Sequence, residues 1–403
     1  MIKKSSLLNI SFILALLAVI GRGLLEIFVP KAMAYILQTL FWSAHIVVLL
    51  SILKFRKTRF FQISIITFLS FLMIMLISGL NTYLSSGFSS YWFYILSMGY
   101  FTGLMCLFGS FRCDDKLIGE IEWEKIFSGI TFLLVIVAVL QQLGIISKLP
   151  GISWVSGMVR PSSLSGSYLH YPLIIVLLGF LLLEIYVHSN KKFHLFAAVV
   201  SFVGVFISMS RSGNMIMWLG FVFYALFGLL YLRGIKKSYL FLLGVLLISL
   251  AIMGLYLPSG DIFVSRILNA IKPDAVGNIQ RIEHWRYGRD LWSNSNLLIG
   301  SHTGMITNVT RNLATDSTGI SVVESGFLQQ LVNFGLLGTI FYYGLFIILF
   351  FRIRPEYFWI RSAFLASIVQ TFVYQSIEVF PFMVLLTFFP IVSDSLWLRE
   401  RRE

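Results

Sequence analysis

The chain has 403 residues, of which 58% are hydrophobic and only 12% charged, and its mean hydropathy is +0.86. A water-soluble domain is about half apolar and roughly a quarter charged, so this composition excludes a protein that has water as its main solvent. The formal charge of +13 does not point to nucleic acid, because the Lys and Arg residues fall in short clusters between apolar runs, where positive charge orients membrane helices.

The apolar runs are about 20 residues long, enough for a helix to cross a hydrocarbon core of roughly 30 Å. In chain order they cover approximately 7–28, 34–53, 61–81, 89–110, 126–146, 168–187, 194–209, 213–232, 238–257, 326–350, 358–377 and 379–398. The pattern predicts an all-α, polytopic integral membrane protein, one membrane domain over 1–403, with about 12 transmembrane helices. A long periplasmic loop, 258–325, separates helices 9 and 10. Lys3, Lys4, Lys54, Arg56, Lys57, Lys191, Lys192, Lys236, Lys237 and Arg352 all fall in gaps of one side, which is therefore expected to be cytoplasmic together with both termini. The first run follows two lysines and precedes Ala32-Met33-Ala34, a form that signal peptides share. It is nevertheless expected to be retained, because it is long and carries Arg22 and Glu26 four residues apart, on one helical face where they can pair. Cys106 and Cys113 fall at the inner end of the fourth run and in an inner loop, so no periplasmic disulfide or metal cluster is implied.

The residues able to do chemistry concentrate on the outer side. Ser208-Met209-Ser210-Arg211-Ser212-Gly213 is a small polar turn with one arginine between two apolar runs. Arg211 reads either as an interfacial anchor or as a bidentate phosphate ligand beside free N–H groups at a helix start. Met158 to Pro172 combines Arg160 with a Ser/Gly turn and with Tyr168, His170 and Tyr171. For Arg160, anchoring and phosphate binding are equally open, while His170 and the tyrosines read as an interfacial aromatic belt. Within the long loop, Arg281, Trp285, Arg289 and Trp292 recur at helical spacing, and Arg286 lies among them. Such a helix either rests on headgroups or grips a pyrophosphate with its arginines while its tryptophans pack on sugar. His302, in Gly300-Ser301-His302-Thr303-Gly304, and Trp285 are the candidate glycan contacts.

Glu324 stands at the outer mouth of a run that continues as Gln329, Gln330, Asn333 and Gly335-Leu336-Leu337-Gly338. Gly335 and Gly338 are read as a close-packing surface. An uncompensated carboxylate in the bilayer costs about 2.5–3.5 kcal/mol, so Glu324 is expected to meet water, an arginine or a substrate hydroxyl. The chain has no phosphate-binding P-loop, no nucleophile elbow and no His-Glu-x-x-His metal site. Nor do its acidic residues form an evident glycosidase pair.

These segments, in this order, resemble the O-antigen polymerase and ligase superfamily, mainly over residues 150–345. The chain looks more like the polymerase branch (Wzy), because ligases commonly carry a histidine where this sequence has Glu324. The resemblance implies a GT-C-like, metal-independent glycosyltransferase without a cofactor. It would polymerise undecaprenyl-diphosphate-linked oligosaccharide repeat units into O-antigen or a related surface polysaccharide at the periplasmic face of a bacterial inner membrane, releasing undecaprenyl diphosphate. Arg160, Arg211, Arg281 and Arg286 would bind the diphosphate, Arg211 and Glu324 would be catalytic, and no metal would take part. Membrane lipids, a chain-length regulator and a flippase are the implied partners. O-antigen ligase activity, or transport of a polysaccharide precursor by a flippase, remain the alternatives.

Overall fold

In the computed structural model, the first apolar run is not one straight helix. Helix α1 (Lys4–Ile20) breaks at Gly21, a poor helix former, and α2 (Arg22–Phe28) leaves at 74°. Arg22 holds the break: its Nη2 donates to the Gly166 carbonyl at 2.7 Å, its Nη1 to the Tyr35 hydroxyl at 2.6 Å, and its Nε lies 2.8 Å from Glu26 Oε1. The Arg22/Glu26 pair expected from spacing is thus formed, and Arg22 is only 2% exposed. The structure describes residues 4–155, 158–230, 276–308 and 322–401.

Helices α3 (Lys31–Ile52), α4 (Phe61–Ser86), α5 (Tyr91–Ser110) and α6 (Trp123–Gln142) follow. Then come α7 (His170–Ser189), α8 (Lys192–Ile207), α9 (Arg211–Leu230) and α10 (Val276–Ser293). The last three are α11 (Gly326–Arg352), α12 (Phe358–Val373) and α13 (Phe380–Glu400). Two short antiparallel ribbons join neighbouring turns: β1 (Phe55–Lys57) with β2 (Phe111–Cys113), and β3 (Ser153–Val155) with β4 (Met158–Arg160). Helices α7 and α13 are apolar on every side and are buried on nearly every side, whereas α3 and α4 leave most of their surface outward. An all-round apolar helix is stable only at the centre of such a bundle or in lipid.

The expected count of about 12 spans is corrected. Among the described residues seven helices are long and apolar enough to cross a membrane: α3, α4, α5, α6, α7, α11 and α13. The bent α1–α2 pair makes an eighth if it is one span. The excess came from treating every apolar run as a full crossing. Helices α8 and α12 have only 16 residues each, which at 1.5 Å per residue gives about 24 Å, short of the roughly 30 Å core. The run 238–257 lies outside the described residues, as do parts of the 258–325 loop, and α9, which covers most of the run 213–232, is not among the seven.

The two ends of the bundle differ chemically. At one end β1, β2 and the basic turns gather around Asp394, which is fully buried and accepts from Arg352 Nη1 at 3.1 Å, Arg354 Nε at 3.3 Å and the Cys113 N–H at 3.1 Å. Nearby, Glu184 accepts the Trp359 and Ile360 N–H groups at 2.7 and 3.1 Å, which satisfies free donors at the start of α12. Glu124, also buried here, accepts from Arg399 at 2.7 and 2.8 Å, so the buried acids described at this end are compensated, as burial of a charge requires.

The other end is shaped by a break inside α11. Gly335 has φ 65° and ψ −168°, a region that only glycine occupies without strain. The helical ladder is interrupted there, and the Leu336 and Leu337 N–H groups donate instead to the Leu297 and Leu298 carbonyls at 2.9 and 3.0 Å. The segment after α10 thus runs back into the bundle. Thr303 N–H donates to Thr82 Oγ1 at 2.8 Å, Gly304 N–H to Asn333 Oδ1 at 2.6 Å, and the Asn333 carbonyl accepts from Thr303 Oγ1 at 3.0 Å and from Ser78 Oγ. Irregular backbone among membrane helices is tolerated where protein groups satisfy it. Gly335 is therefore more than the packing surface its spacing suggested.

A Cβ at Gly335 would lie 2.3 Å from the Leu298 carbonyl carbon and 2.4 Å from the Ile299 nitrogen. Gly335→Ala is expected to cost more than about 1–3 kcal/mol, the backbone strain alone, and to lower the Tm of the detergent-solubilised protein. Gly344→Ala, whose Cβ meets only Thr67 Cγ2 at 3.5 Å, serves as the control. Equal melting of the two variants would refute the role given to the break.

Candidate functional site

Arg211 opens α9 after a tight turn that the serines build. Met209 adopts φ 51°, Ser210 N–H donates to Ser208 Oγ at 3.2 Å, and Ser210 Oγ accepts the Gly213 N–H at 3.4 Å as a helix cap. Gly213 is required by closeness, since a Cβ there would meet Pro172 Cβ at 2.8 Å. The turn aims Arg211 at α10, where its Nη1 donates to Asn278 Oδ1 at 2.6 Å. Among the described residues its buried Nε has no acceptor. A guanidinium with an idle buried donor is ready for an oxyanion.

Helix α10 presents a second arginine. Arg281 Nε lies 3.1 Å from Glu324 Oε2, His284 Nδ1 lies 3.9 Å from Glu324 Oε1, and Trp285 Nε1 donates to the Glu324 carbonyl at 3.0 Å. The same face continues through Gly288, where a Cβ would meet Val323 Cγ1 at 2.9 Å, and through Trp292, which packs with Ile306, Val323 and Val332. Arg281 also lies over the Tyr374 ring, 4.5 Å from its centre. Burial raises the Tyr374 hydroxyl above its usual value, with Arg281 and Arg211 opposing and Glu324 adding to the rise. Tyr374 thus lies under Arg281 and within electrostatic reach of Arg211 and Glu324.

Glu324 is positioned by the start of α11. Ser325 is extended, its Oγ accepts the Leu328 N–H at 3.2 Å and donates to the Phe372 carbonyl at 2.7 Å. This cap joins α11 to the end of α12, and the Gly326 N–H reaches the Tyr374 carbonyl at 3.2 Å. The Arg281 side chain is 16% exposed and that of Glu324 42%, so the carboxylate stands at the mouth of the cluster with the guanidinium behind it.

The expected site residues divide accordingly. Arg211, Arg281, Trp285 and Glu324 come together. Arg160 sits at the same end, its guanidinium 4.3 Å over the Tyr168 ring. Gln142 Nε2 ties the neighbouring Val159 carbonyl at 3.3 Å to the Ile207 carbonyl at 2.9 Å, close to the Arg211 turn. Arg286 is exposed on the opposite side of α10 from Arg281, because five residues turn a helix by about 500°. Arg289 likewise points outward and pairs with Asp290 at 2.8 Å. His302 belongs to the returning segment and is bonded to Ser301 Oγ at 3.3 Å. Burial lowers its pKa from the ordinary histidine value, which keeps it neutral at pH 7. Among the described residues no hydrogen bond or ion pair joins it to the arginine cluster.

Sequence reasoning did not single out Asn278 or Tyr374. Asn278 lies one helical turn before Arg281, a visible spacing; nothing in the sequence marks Tyr374. No protein-family model matches the chain, and no curated protein matches it. Among the described residues no group of three or more His, Cys, Asp or Glu could hold a metal ion.

The exposure of the Arg281–Glu324 pair limits what it adds to stability. A double-mutant cycle with Arg281→Ala and Glu324→Ala, read by thermal unfolding, is expected to give a coupling of about 0.2–1 kcal/mol. A coupling above about 3 kcal/mol, the range of broken buried pairs, would make the pair a structural clamp.

Proposed function

We propose that this protein is a membrane-embedded glycosyltransferase of the O-antigen polymerase type, which lengthens a glycan carried on undecaprenyl diphosphate. The observation that carries the reading is Arg281 held over Tyr374 and against Glu324, with Arg211 bonded to Asn278 one turn earlier on α10 and its buried Nε idle. Two fixed guanidinium groups suit a diphosphate better than a neutral solute, and arginine offers paired donors that lysine lacks. The idle donor leaves room for phosphate oxygen without dismantling the fold.

The chemistry follows from charge. When the bond between the anomeric carbon and the diphosphate oxygen breaks, negative charge grows on the leaving diphosphate. Arg211 and Arg281 are already oriented to stabilise it, so reorganisation at that moment is small. Glu324 keeps Arg281 in place, and Trp285 offers its ring to a sugar face beside it. The site lies at the end of the bundle opposite the Lys54, Arg56, Lys57, Lys191, Lys192, Arg352 and Arg354 clusters. By the distribution of positive charge, it then faces the periplasm of a bacterial inner membrane, with both termini in the cytoplasm. Ion-coupled transport draws less support: Asp394 and Glu184, buried at the basic end, are committed to arginines and backbone donors.

Arg211→Ala, expressed at wild-type level in a host deleted for the native gene, should abolish the long polysaccharide ladder and leave single repeat units on their acceptor. A normal ladder would refute the proposed role of Arg211. Complete loss of attached units in the deletion strain itself would instead indicate ligation or translocation.

A further inference from the structure

Glu378 lies in the short connection between α12 and α13 and takes no part in the arginine cluster. Its Oε2 accepts the Asn308 N–H at 2.9 Å and Gln375 Nε2 at 2.8 Å, and its Oε1 accepts from Gln329 Nε2. Asn308 Nδ2 in turn donates to Gln375 Oε1 at 2.9 Å. All these donors are neutral. Among the described residues no lysine, arginine or histidine stands within ion-pair distance of it, in contrast to Asp394 at the other end. Among the described residues the titratable groups that face it are hydroxyls: Tyr35 from α3, Tyr94 from α5 and Tyr342 from α11.

A second observation points to a ligand. Gln329 and Gln330 are fully buried at the start of α11, and the Oε1 of each lacks a hydrogen-bond donor among the described residues. Both amide nitrogens reach the Tyr94 hydroxyl, at 3.2 and 3.3 Å. Leaving a buried acceptor without a partner is unfavourable. These two oxygens and the carboxylate beside them form a cradle that calls for further donors, and a sugar face supplies several hydroxyl donors in one rigid unit. The cradle also adjoins the diphosphate cluster: Gln375 follows Tyr374, which lies under Arg281, and Gln329 is little more than one helical turn past Glu324.

We propose that this cradle is the acceptor subsite and that Glu378 takes the proton of the attacking sugar hydroxyl. The proposal rests on the glycan-lengthening reading above. In the step, the acceptor oxygen forms a bond to the anomeric carbon of the donor sugar as the bond from that carbon to the diphosphate breaks. The electron pair leaves with the diphosphate, and the hydroxyl proton passes to a Glu378 carboxylate oxygen. Gln329 and Gln375 orient that carboxylate. Glu324 is committed to another task, since its Oε2 holds the Arg281 guanidinium, whereas the donors on Glu378 are neutral amides. Crowding by protein pushes the Glu378 carboxyl up to about 7, against the opposing effect of the Asn308 and Gln329 donors. A base poised near neutrality is the most effective at ambient pH.

The test uses the purified full-length protein in liposomes, with lipid-linked single repeat units extracted from a strain lacking the gene. Chain growth by the wild type should rise as Glu378 deprotonates through about pH 7 and level off above it. Glu378→Gln should lower kcat by about 10²–10⁴ with KM little changed, and Glu378→Asp should retain part of the rate with a displaced pH profile. A Glu378→Gln enzyme with more than half the wild-type kcat, or a wild-type rate that is flat with pH, would overturn the role of Glu378. Either result leaves the glycan reading intact, since the wild type would still make chains. Absence of chain growth by the wild type would overturn both. If Glu378→Gln fails to give a monodisperse protein, Glu378→Asp and the wild-type profile decide the matter alone.

Discussion

The break of α11 at Gly335 is the constraint on which the functional end of this protein depends. A continuous helix would keep its own ladder and leave the segment after α10 outside the bundle. Once Gly335 leaves helical geometry, the Leu336 and Leu337 N–H groups need acceptors, and Leu297 and Leu298 provide them. Asn333, one residue before Phe334, then uses both its side chain and its carbonyl to hold Thr303 and Gly304. Through this docking Asn308 reaches Glu378, and the face of α10 that carries Arg281 and Trp285 settles over Glu324.

The two ends differ in how their acids are held. At the basic end, buried acids are matched by donors: Asp394 by two arginines and a backbone N–H, and Glu184 by the start of α12. Among the described residues, unmatched buried polar atoms occur at both ends, Arg112 Nε and Arg361 Nε among them at the basic one. At the other end they include Arg211 Nε, His284 Nδ1, Gln329 Oε1 and Gln330 Oε1, which lie beside the arginine cluster and Glu378. Their sorting is informative as well: the donors Arg211 and Arg281 gather near Tyr374, while the acceptors gather near Glu378. An anionic leaving group and a hydroxyl-bearing acceptor fit these two halves.

Much of the architecture was legible in composition and hydrophobic runs, because a membrane helix must be apolar along its length. The count of crossings was not, since α8 and α12 are apolar yet short and the first run bends at Gly21. Run length alone does not distinguish a crossing from a helix buried among others. The Arg22/Glu26 pair and the inward face of Arg281 and Trp285 followed from helical spacing, whereas Arg289 was placed on that face and lies outside it. No motif surrounds Glu378 in the sequence. Its significance comes from three amide-bearing residues that are distant in sequence, Asn308, Gln329 and Gln375, meeting around it, and no local pattern announces such a meeting. Gly335 shows the same limit from another direction: its spacing from Gly338 suggests packing, and only its φ and ψ reveal the break.

The most direct measurement is equilibrium binding of undecaprenyl diphosphate to the wild-type protein and to the Arg211→Ala, Arg281→Ala double variant, both reconstituted in nanodiscs of zwitterionic lipid. Saturable binding by the wild type, lost in the double variant and weakened by added inorganic diphosphate, is the expected result. Equal binding by both proteins, or no saturable binding by the wild type, would contradict a diphosphate site at the Arg211–Arg281 cluster.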